Sequence, residues 1–335
     1  MVRDFSKLMD YARHVASEVN KVIAEVVSGG PPKLYEASLH LINAGGKRLR
    51  PLALVLSGRM YGLDERVGIA AGASVEILHN FTLIHDDIMD RDQFRRGVPT
   101  VHTIYGEETA ILAGDLLFAK SYEALSRLSG LLPAERLVNA FNELTWAAVT
   151  VAEGQALDMD FERRWDVTLN EYLEMIYKKT AALFKSSLVM GALLAGASES
   201  EVPHLEGFAR GVGIAFQIRD DVLGLIADEA VLGKPVYSDL REGKKTALVI
   251  YALSKLGPDE RTKLVSVLGR RDAGVSELRE AADLIKSTGA IEFADRLADE
   301  YLRSGLDSLS KAKPVDREAM DLLVDLAMYV TARNY

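Results

Sequence analysis

Helical periodicity constrains this chain more than any other feature. Apolar residues recur at steps of three and four almost everywhere, and the alternation of a half-buried strand is nearly absent, so the chain reads as all-α. From about 64 to 90, Ile77, Phe81, Ile84 and Ile88 follow at steps of four, three and four and draw one apolar stripe along a buried helix. Similar patterns predict helices over about 5–27, 32–43, 49–60, 107–128, 134–161, 168–197, 203–228, 243–255, 259–268, 274–287, 290–311 and 316–332. Gly29-Gly30-Pro31-Pro32, Gly97-Val98-Pro99, Leu132-Pro133 and Gly233-Lys234-Pro235 lie between these stretches, where helices should stop. No segment has linker composition, so a single helical domain over 1–335 is expected. Apolar residues on several faces assign roughly 5–255 to an inner bundle, and higher charge assigns roughly 256–332 to its outer cover.

Composition narrows the chemistry. The 335 residues contain no cysteine, which removes disulfides, thiolate metal sites and cysteine nucleophiles; any metal must be held by oxygen or imidazole. A formal charge of -9 argues against a protein whose main work is to coat nucleic acid, and no nucleic-acid partner is expected. The N-terminal Met-Val-Arg-Asp-Phe-Ser-Lys is charged where a secretory signal is apolar, and the most apolar stretch, Leu188 to Ala197, is too short to span a bilayer. A cytoplasmic protein without a transmembrane segment is expected.

The sharpest local feature is His85-Asp86-Asp87-Ile88-Met89-Asp90. On a helix Asp86 and Asp90 are one turn apart with Asp87 beside them. Carboxylates so close repel unless a cation sits among them, and hard oxygen ligands favour magnesium or manganese. Magnesium keeps waters and bridges to phosphates, which points to a diphosphate; a solvated acidic helix end is the competing account. Arg95 and Arg96 follow within a few residues, and paired guanidinium groups make bidentate phosphate ligands. A second pair, Asp220-Asp221, ends another apolar helix, and two such helices face to face could hold metals from both sides. Gly45-Gly46-Lys47-Arg48-Leu49-Arg50-Pro51 sets three cations beside flexible backbone, resembling a phosphate-binding loop in chemistry without the Walker spacing. Lys244-Lys245-Thr246, Lys178-Lys179-Thr180 and Gly154-Gln155-Ala156-Leu157-Asp158 are weaker signals, each more ordinary as surface or packing when judged singly. Glu76 and His79 form an ExxH of the di-iron kind, but the only second instance, Glu201 to His204, contains a proline.

Taken together, GGKRLRP at 45–51, DDIMD with RRGVPTVH at 86–102, GD at 114–115, GQALD at 154–158, KT at 179–180, FQIRDDVLG at 216–224 and GKPVYSDLREGKKT at 233–246 resemble the trans-isoprenyl diphosphate synthases, most of all the archaeal geranylgeranyl diphosphate synthases. The resemblance implies an isoprenoid synthase bundle with a central cavity, a homodimer, and three magnesium ions (manganese as a substitute) bridging two aspartate-rich motifs to an allylic diphosphate. It implies Asp86, Asp87, Asp90, Asp220 and Asp221 as metal ligands, with Asp239 in the outer shell. Arg95, Lys179, Thr180, Gln217, Lys234 and Lys244 would hold the allylic diphosphate, and Lys47, Arg50, His79 and Arg96 that of isopentenyl diphosphate. The two acidic motifs with Arg95, Lys179 and Lys234 would be the catalytic set. The second motif departs from DDxxD, because Gly224 stands at its last position; Asp228 lies one turn on.

The implied reaction adds isopentenyl diphosphate to C5 to C15 allylic diphosphates, gives mainly the C20 product and releases diphosphate. Phe81, five residues before the first motif, with Thr82 beside it, implies a C20 stop; C15 and C25 are the alternatives. On an ideal helix, however, Phe81 shares the Ile77, Ile84 and Ile88 stripe, nearly opposite Asp86 and Asp90, where ordinary core packing competes with a role as cavity floor. A class I terpene cyclase has no second diphosphate to bind, against Lys47, Arg50 and Arg96; a non-catalytic partner subunit has no need of both acidic motifs.

Overall fold

The computed structural model describes residues 4–226 and 237–332. Lys234 and Asp228, singled out above, lie outside the described residues. The chain divides into two compact units, each drawn from separate stretches of sequence: Met1–Ala148 with Leu183–Glu206 and Leu309–Tyr329, and Val149–Ala182 with Gly207–Ser308 and Val330–Tyr335.

In the first unit, helices α1 (Ser6–Val26), α2 (Pro32–Asn43), α3 (Leu49–Met60) and α4 (Glu65–Asp90) lead to a two-stranded ribbon, and α5 (Val101–Tyr105) and α6 (Glu107–Ser126) follow it. Helix α4 packs most extensively on α6, then on α3 and α1. It can be enclosed because small residues line it: Ala71, Gly72, Ala73 and Ser74 are all buried, with Val75 to Leu78 after them. By length and composition α4 could cross a membrane, which corrects the expectation that no stretch is long enough; 67% of its most apolar window is buried in the protein, as in a core helix. Asp64 caps its start, accepting from the Arg66 backbone N–H at 2.9 Å. Its end is a Schellman turn: the Asp92 N–H donates to Asp87 O at 3.0 Å and Arg91 N–H to Ile88 O at 3.3 Å, with Arg91 left-handed at φ 60. The chain is thereby turned back at the first acidic motif. The ribbon that follows pairs β1 (Phe94–Arg95) with β2 (Val98–Pro99), and Arg96 and Gly97, at φ 55 and 75, make the tight turn that such a hairpin demands. That ribbon and α5 are the pieces periodicity missed here, because both are too short to carry a period.

The second unit holds the C-terminal part of α7 (Ala134–Glu162), α8 (Leu169–Ile176), most of α10 (Val202–Ile226), α11 (Ser238–Glu242), α12 (Ala247–Lys255), α13 (Pro258–Val267), α14 (Val275–Ser287) and most of α15 (Ala290–Ser310). Leu264, Leu278, Ala282, Ile285, Ala294 and Ala298 share one core with Tyr172, Ile214, Ile218 and Val222. The charged helices after residue 255 thus bury an apolar stripe in the same core as residues of α8 and α10. The predicted helix over 168–197 is interrupted: a π-helical turn, Tyr177–Ala181, separates α8 from α9 (Ala182–Ala195). α8 opens on a capping box in which Thr168 and Glu171 bond reciprocally. A last helix, α16 (Arg317–Val330), belongs mostly to the first unit.

Candidate active site

The Schellman turn and the ribbon return Arg95 to the end of α4. Its Nη2 lies 3.4 Å from Asp86 Oδ2 and 3.7 Å from Asp92 Oδ2, and its Nε donates to Asp87 Oδ1. Asp87 is 1% exposed, and burial, opposed by Arg95, pushes its carboxyl up to about 7. Burial works against the Arg95 charge as well, but Asp87 and Asp86 outweigh it and hold the guanidinium above its ordinary value. The Asp87 Oδ2 atom is buried without a hydrogen-bond partner. Among the described residues, no three His, Asp or Glu side chains form a ready metal cage. Hard carboxylate oxygens with one orphaned atom, short of a cage, fit a cation that completes its shell with water and phosphate oxygens, as magnesium does.

A cluster of cations lies nearby in the same unit. Arg50 Nη1 donates to His79 Nε2 at 3.0 Å, which fixes that nitrogen as acceptor and the ring as neutral. Burial, then Arg50, Arg96, Arg95 and Arg48, lower His79 well below its usual value. Burial and Arg96 also lower Arg50, whose Nε is buried without a partner. Burial and Arg48 lower Arg96, though Glu76 opposes them. Arg96 anchors through Nη1 to Leu41 O at 2.9 Å. Lys47 is exposed, its Nζ 5.3 Å above the Tyr329 ring. Cations this close favour an anion beside them, and the partnerless Arg50 Nε is a donor that could receive one. The two members of the Glu76-His79 ExxH take separate partners: Glu76 pairs with Arg48 at 2.9 Å, and His79 with Arg50.

In the second unit the π turn carries Lys178, Lys179 and Thr180 past α7. Gly154 lets the two meet, since a Cβ there would lie 2.7 Å from Lys178 C and Lys179 Cα. Asp158 of the same helix, 5% exposed, accepts from Lys179 Nζ at 2.7 Å and from Lys244 Nζ at 2.8 Å. Burial acts to raise the Asp158 carboxyl, but the two ammonium groups outweigh it and hold it below its ordinary value. Lys178 instead pairs with Glu153 at 2.8 Å, and Lys245 donates to Glu162 O and Gly243 O at 2.9 and 2.7 Å. Each Lys-Lys pair thus divides between the Asp158 centre and structure.

A continuous network runs from the π turn into the second acidic motif. Thr180 Oγ1 donates to Gln217 Oε1 at 2.9 Å, Gln217 Nε2 to Asp221 Oδ1 at 2.8 Å, and Tyr172 Oη to Asp221 Oδ2 at 2.6 Å. Burial and the Asp239 charge push the Asp221 carboxyl up to about 8, while Asp220 is exposed. Both Asp221 oxygens are engaged, so Asp220 is the more accessible carboxylate of the pair. At Gly224, the departure from DDxxD, a Cβ would lie 3.0 Å from Asp239 Oδ2: the Asp239 carboxylate takes up the space beside that position. Tyr172 was missed from sequence, and Asp158 and Arg48 stood in motifs without a role assigned to either. GQALD was visible as a motif, but nothing in Tyr172 or Arg48 marks which partner it meets.

Phe81 is half-buried, as is Ile88 of the same stripe, whereas Ile77 is 0% and Ile84 1% exposed. Its ring stands edge-on to His85 and to Phe118, at 4.9 and 5.3 Å between centroids, and Phe118 continues to Tyr122. Thr82 turns inward on its own helix, donating to His79 O at 2.7 Å.

These geometries have counterparts. Residues 31–285 match the polyprenyl synthetase family. The geranylgeranyl diphosphate synthase of Sulfolobus acidocaldarius is 49% identical over 302 residues, covering 90% of this chain and 91% of its own. The geranylfarnesyl diphosphate synthase of Aeropyrum pernix is 47% identical over 94% of this chain and 99% of its own. The crystal structure of the geranylgeranyl pyrophosphate synthetase of Pyrococcus horikoshii superposes with a TM-score of 0.91 at 38% identity, covering 99% of this chain and 100% of that one. The chain belongs to the polyprenyl synthetase family, and within it is a short-chain prenyltransferase of the geranylgeranyl diphosphate synthase type.

Proposed function

We propose that the chain condenses isopentenyl diphosphate with C5, C10 and C15 allylic diphosphates and gives mainly the C20 diphosphate. The observation that carries this is the cluster of Arg50, Arg96 and the neutral His79, with the Arg50 Nε buried and unpartnered, in the same unit as the carboxylates of α4. Lys47, Arg50, His79 and Arg96 receive the diphosphate of isopentenyl diphosphate, the neutral His79 orienting Arg50. Arg95, Lys179, Thr180, Gln217, Lys234 and Lys244 would hold the allylic diphosphate, by their match to the family's motifs. Asp86, Asp87, Asp90, Asp220 and Asp221 would hold magnesium, three ions in all, with Asp239 in the outer shell. Bound magnesium neutralises the charge that gathers on the leaving diphosphate.

The chain's own part in the reaction is electrostatic and steric. As the allylic C–O bond breaks, Arg95 and the lysines stabilise the developing anion. The carbocation is kept from water while C4 of isopentenyl diphosphate bonds to C1 of the allyl group. The C2 proton then leaves, to the released diphosphate, and an allylic product results that can react again.

The Phe81 and Phe118 rings set where elongation stops; the half-buried Phe81 and the geranylfarnesyl synthase relative keep a C25 stop as the second reading. The same proposal includes action of residues 1–335 as one isoprenoid synthase domain, a cytoplasmic location and a homodimer. The homodimer is supported by Ile104, Ile111, Leu112 and Val138, exposed apolar side chains at 46–57% on α5, α6 and α7, and light scattering at the mass of two chains tests it. The decisive assay incubates the purified chain with magnesium, labelled isopentenyl diphosphate and each allylic primer in turn. C20 from every primer is expected; a C15 or C25 stop overturns the role of Phe81, and no product from any primer overturns the enzyme assignment.

A further inference from the structure

Of the three cations in the 45–51 segment, Arg48 is the one whose whole residue is buried. Arg48 is 3% exposed at a left-handed φ of 48, and its donors are committed inside the first unit. Nε donates to Asn20 Oδ1 on α1 at 2.9 Å, and Nη2 to Ile42 O near the end of α2 at 2.7 Å. Nη1 donates to Gly45 O at 3.2 Å and to Glu76 Oε1 on α4 at 2.9 Å. Glu76, 2% exposed, accepts in addition from Asn80 Nδ2 at 3.2 Å. A buried ion pair is poor evidence of stability by itself, because desolvation offsets its attraction. What it organises is more informative.

Gly45 and Gly46, at φ 102 and 142, leave the link between α2 and α3 without side chains to stiffen it. The backbone instead wraps the guanidinium: a Cβ on Gly46 would lie 2.8 Å from Arg48 Nη1. The Gly45 carbonyl that receives Arg48 also accepts from Arg96 Nη1 at 2.5 Å. One turn along α4 from Glu76, His79 accepts from Arg50. Arg48 therefore fixes the backbone that carries Lys47 and Arg50, and shares with Arg96 the carbonyl that anchors it.

We propose that Arg48, through its buried pair with Glu76, is a positioning residue for the isopentenyl diphosphate site, touching no substrate while setting the places of Lys47, Arg50 and Arg96. The inference rests on the assignment of those three residues to that diphosphate. Its test compares the full chain with Arg48→Met, Arg48→Lys and Lys47→Ala, measuring kcat, the KM of each substrate and Tm. Arg48→Met should raise the KM for isopentenyl diphosphate by about tenfold or more, with the allylic KM and kcat within about twofold. Arg48→Lys should not restore it, because one ammonium cannot reach acceptors on three helices in the fork geometry of a guanidinium. A lower Tm with both KM values unchanged or raised alike, or full rescue by lysine, overturns the role of Arg48. If Arg48→Met does not fold, Asn20→Ala removes one acceptor at the exposed end and should raise the isopentenyl diphosphate KM alone by about two- to threefold. No such split there also overturns it. An unchanged isopentenyl diphosphate KM in Lys47→Ala overturns the site assignment and this inference with it, whereas a raised one beside an unaffected Arg48→Met overturns the inference alone.

Discussion

Asp158 accepts from two lysines, 21 and 86 residues away in sequence, and sets how far each can reach. Asp158→Asn should raise the KM for the allylic diphosphate by about tenfold, since charge-assisted bonds of this kind are worth roughly 1.5–3 kcal/mol. The KM for isopentenyl diphosphate should stay unchanged in the same steady-state assay. The lysines hold the Asp158 carboxyl below its unfolded value, so its stabilisation is complete above that value and is lost as pH falls through the lower, folded one. Acid titrations followed by circular dichroism should therefore show wild type losing stability below about pH 4, and Asp158→Asn losing less over that window. Phe81 can be tested at the same scale. If its edge-on contact with Phe118 is the floor, Phe81→Ala should shift products past C20, read by chromatography of the prenyl alcohols; an unchanged length distribution with a lower Tm would mean plain packing.

At the scale of elements, the π turn at Tyr177–Ala181 matters most. It inserts between α8 and α9, where the sequence shows one unbroken helical period, and it carries Lys179 and Thr180 to different partners. Helix α7 reaches it only because position 154 lacks a side chain. Gly154→Ala should destabilise the chain by about 1–3 kcal/mol through overpacking and lower turnover with it, measured by urea unfolding and the elongation assay. Wild-type stability and rate in that variant would show that the turn yields at little cost. Elsewhere, element positions were largely legible: α1, α2, α3 and α4 fall within two residues of the predicted spans, α1 and α2 because they keep a one-sided apolar pattern, α3 and α4 because long apolar runs without Gly-rich breaks lie between turn signals. The Arg96-Gly97 hairpin and α11 were not, since elements of two to five residues show no period.

For the whole molecule, the described carboxylates do not gather into a metal cage, so the cation and the diphosphate should bind together. Scanning calorimetry should show a larger rise in Tm with magnesium and inorganic diphosphate present together than the sum of the rises with either alone. A full effect from magnesium alone would point to a protein-only site.

Helical periodicity, readable from neighbours three and four residues apart, determined the class of fold, and the acidic and basic motifs, each local but taken in their order along the chain, carried the resemblance that implied the class of chemistry. The tertiary structure decided which members of each motif face inward. Arg48 and Lys245 are buried on backbone carbonyls while Lys47 is exposed and Lys244 meets Asp158, and Asp221 is held by Tyr172 while Asp220 is exposed. Those choices depend on which distant side chain or carbonyl offsets the desolvation of each buried charge, and partners tens of residues away leave no trace in local pattern.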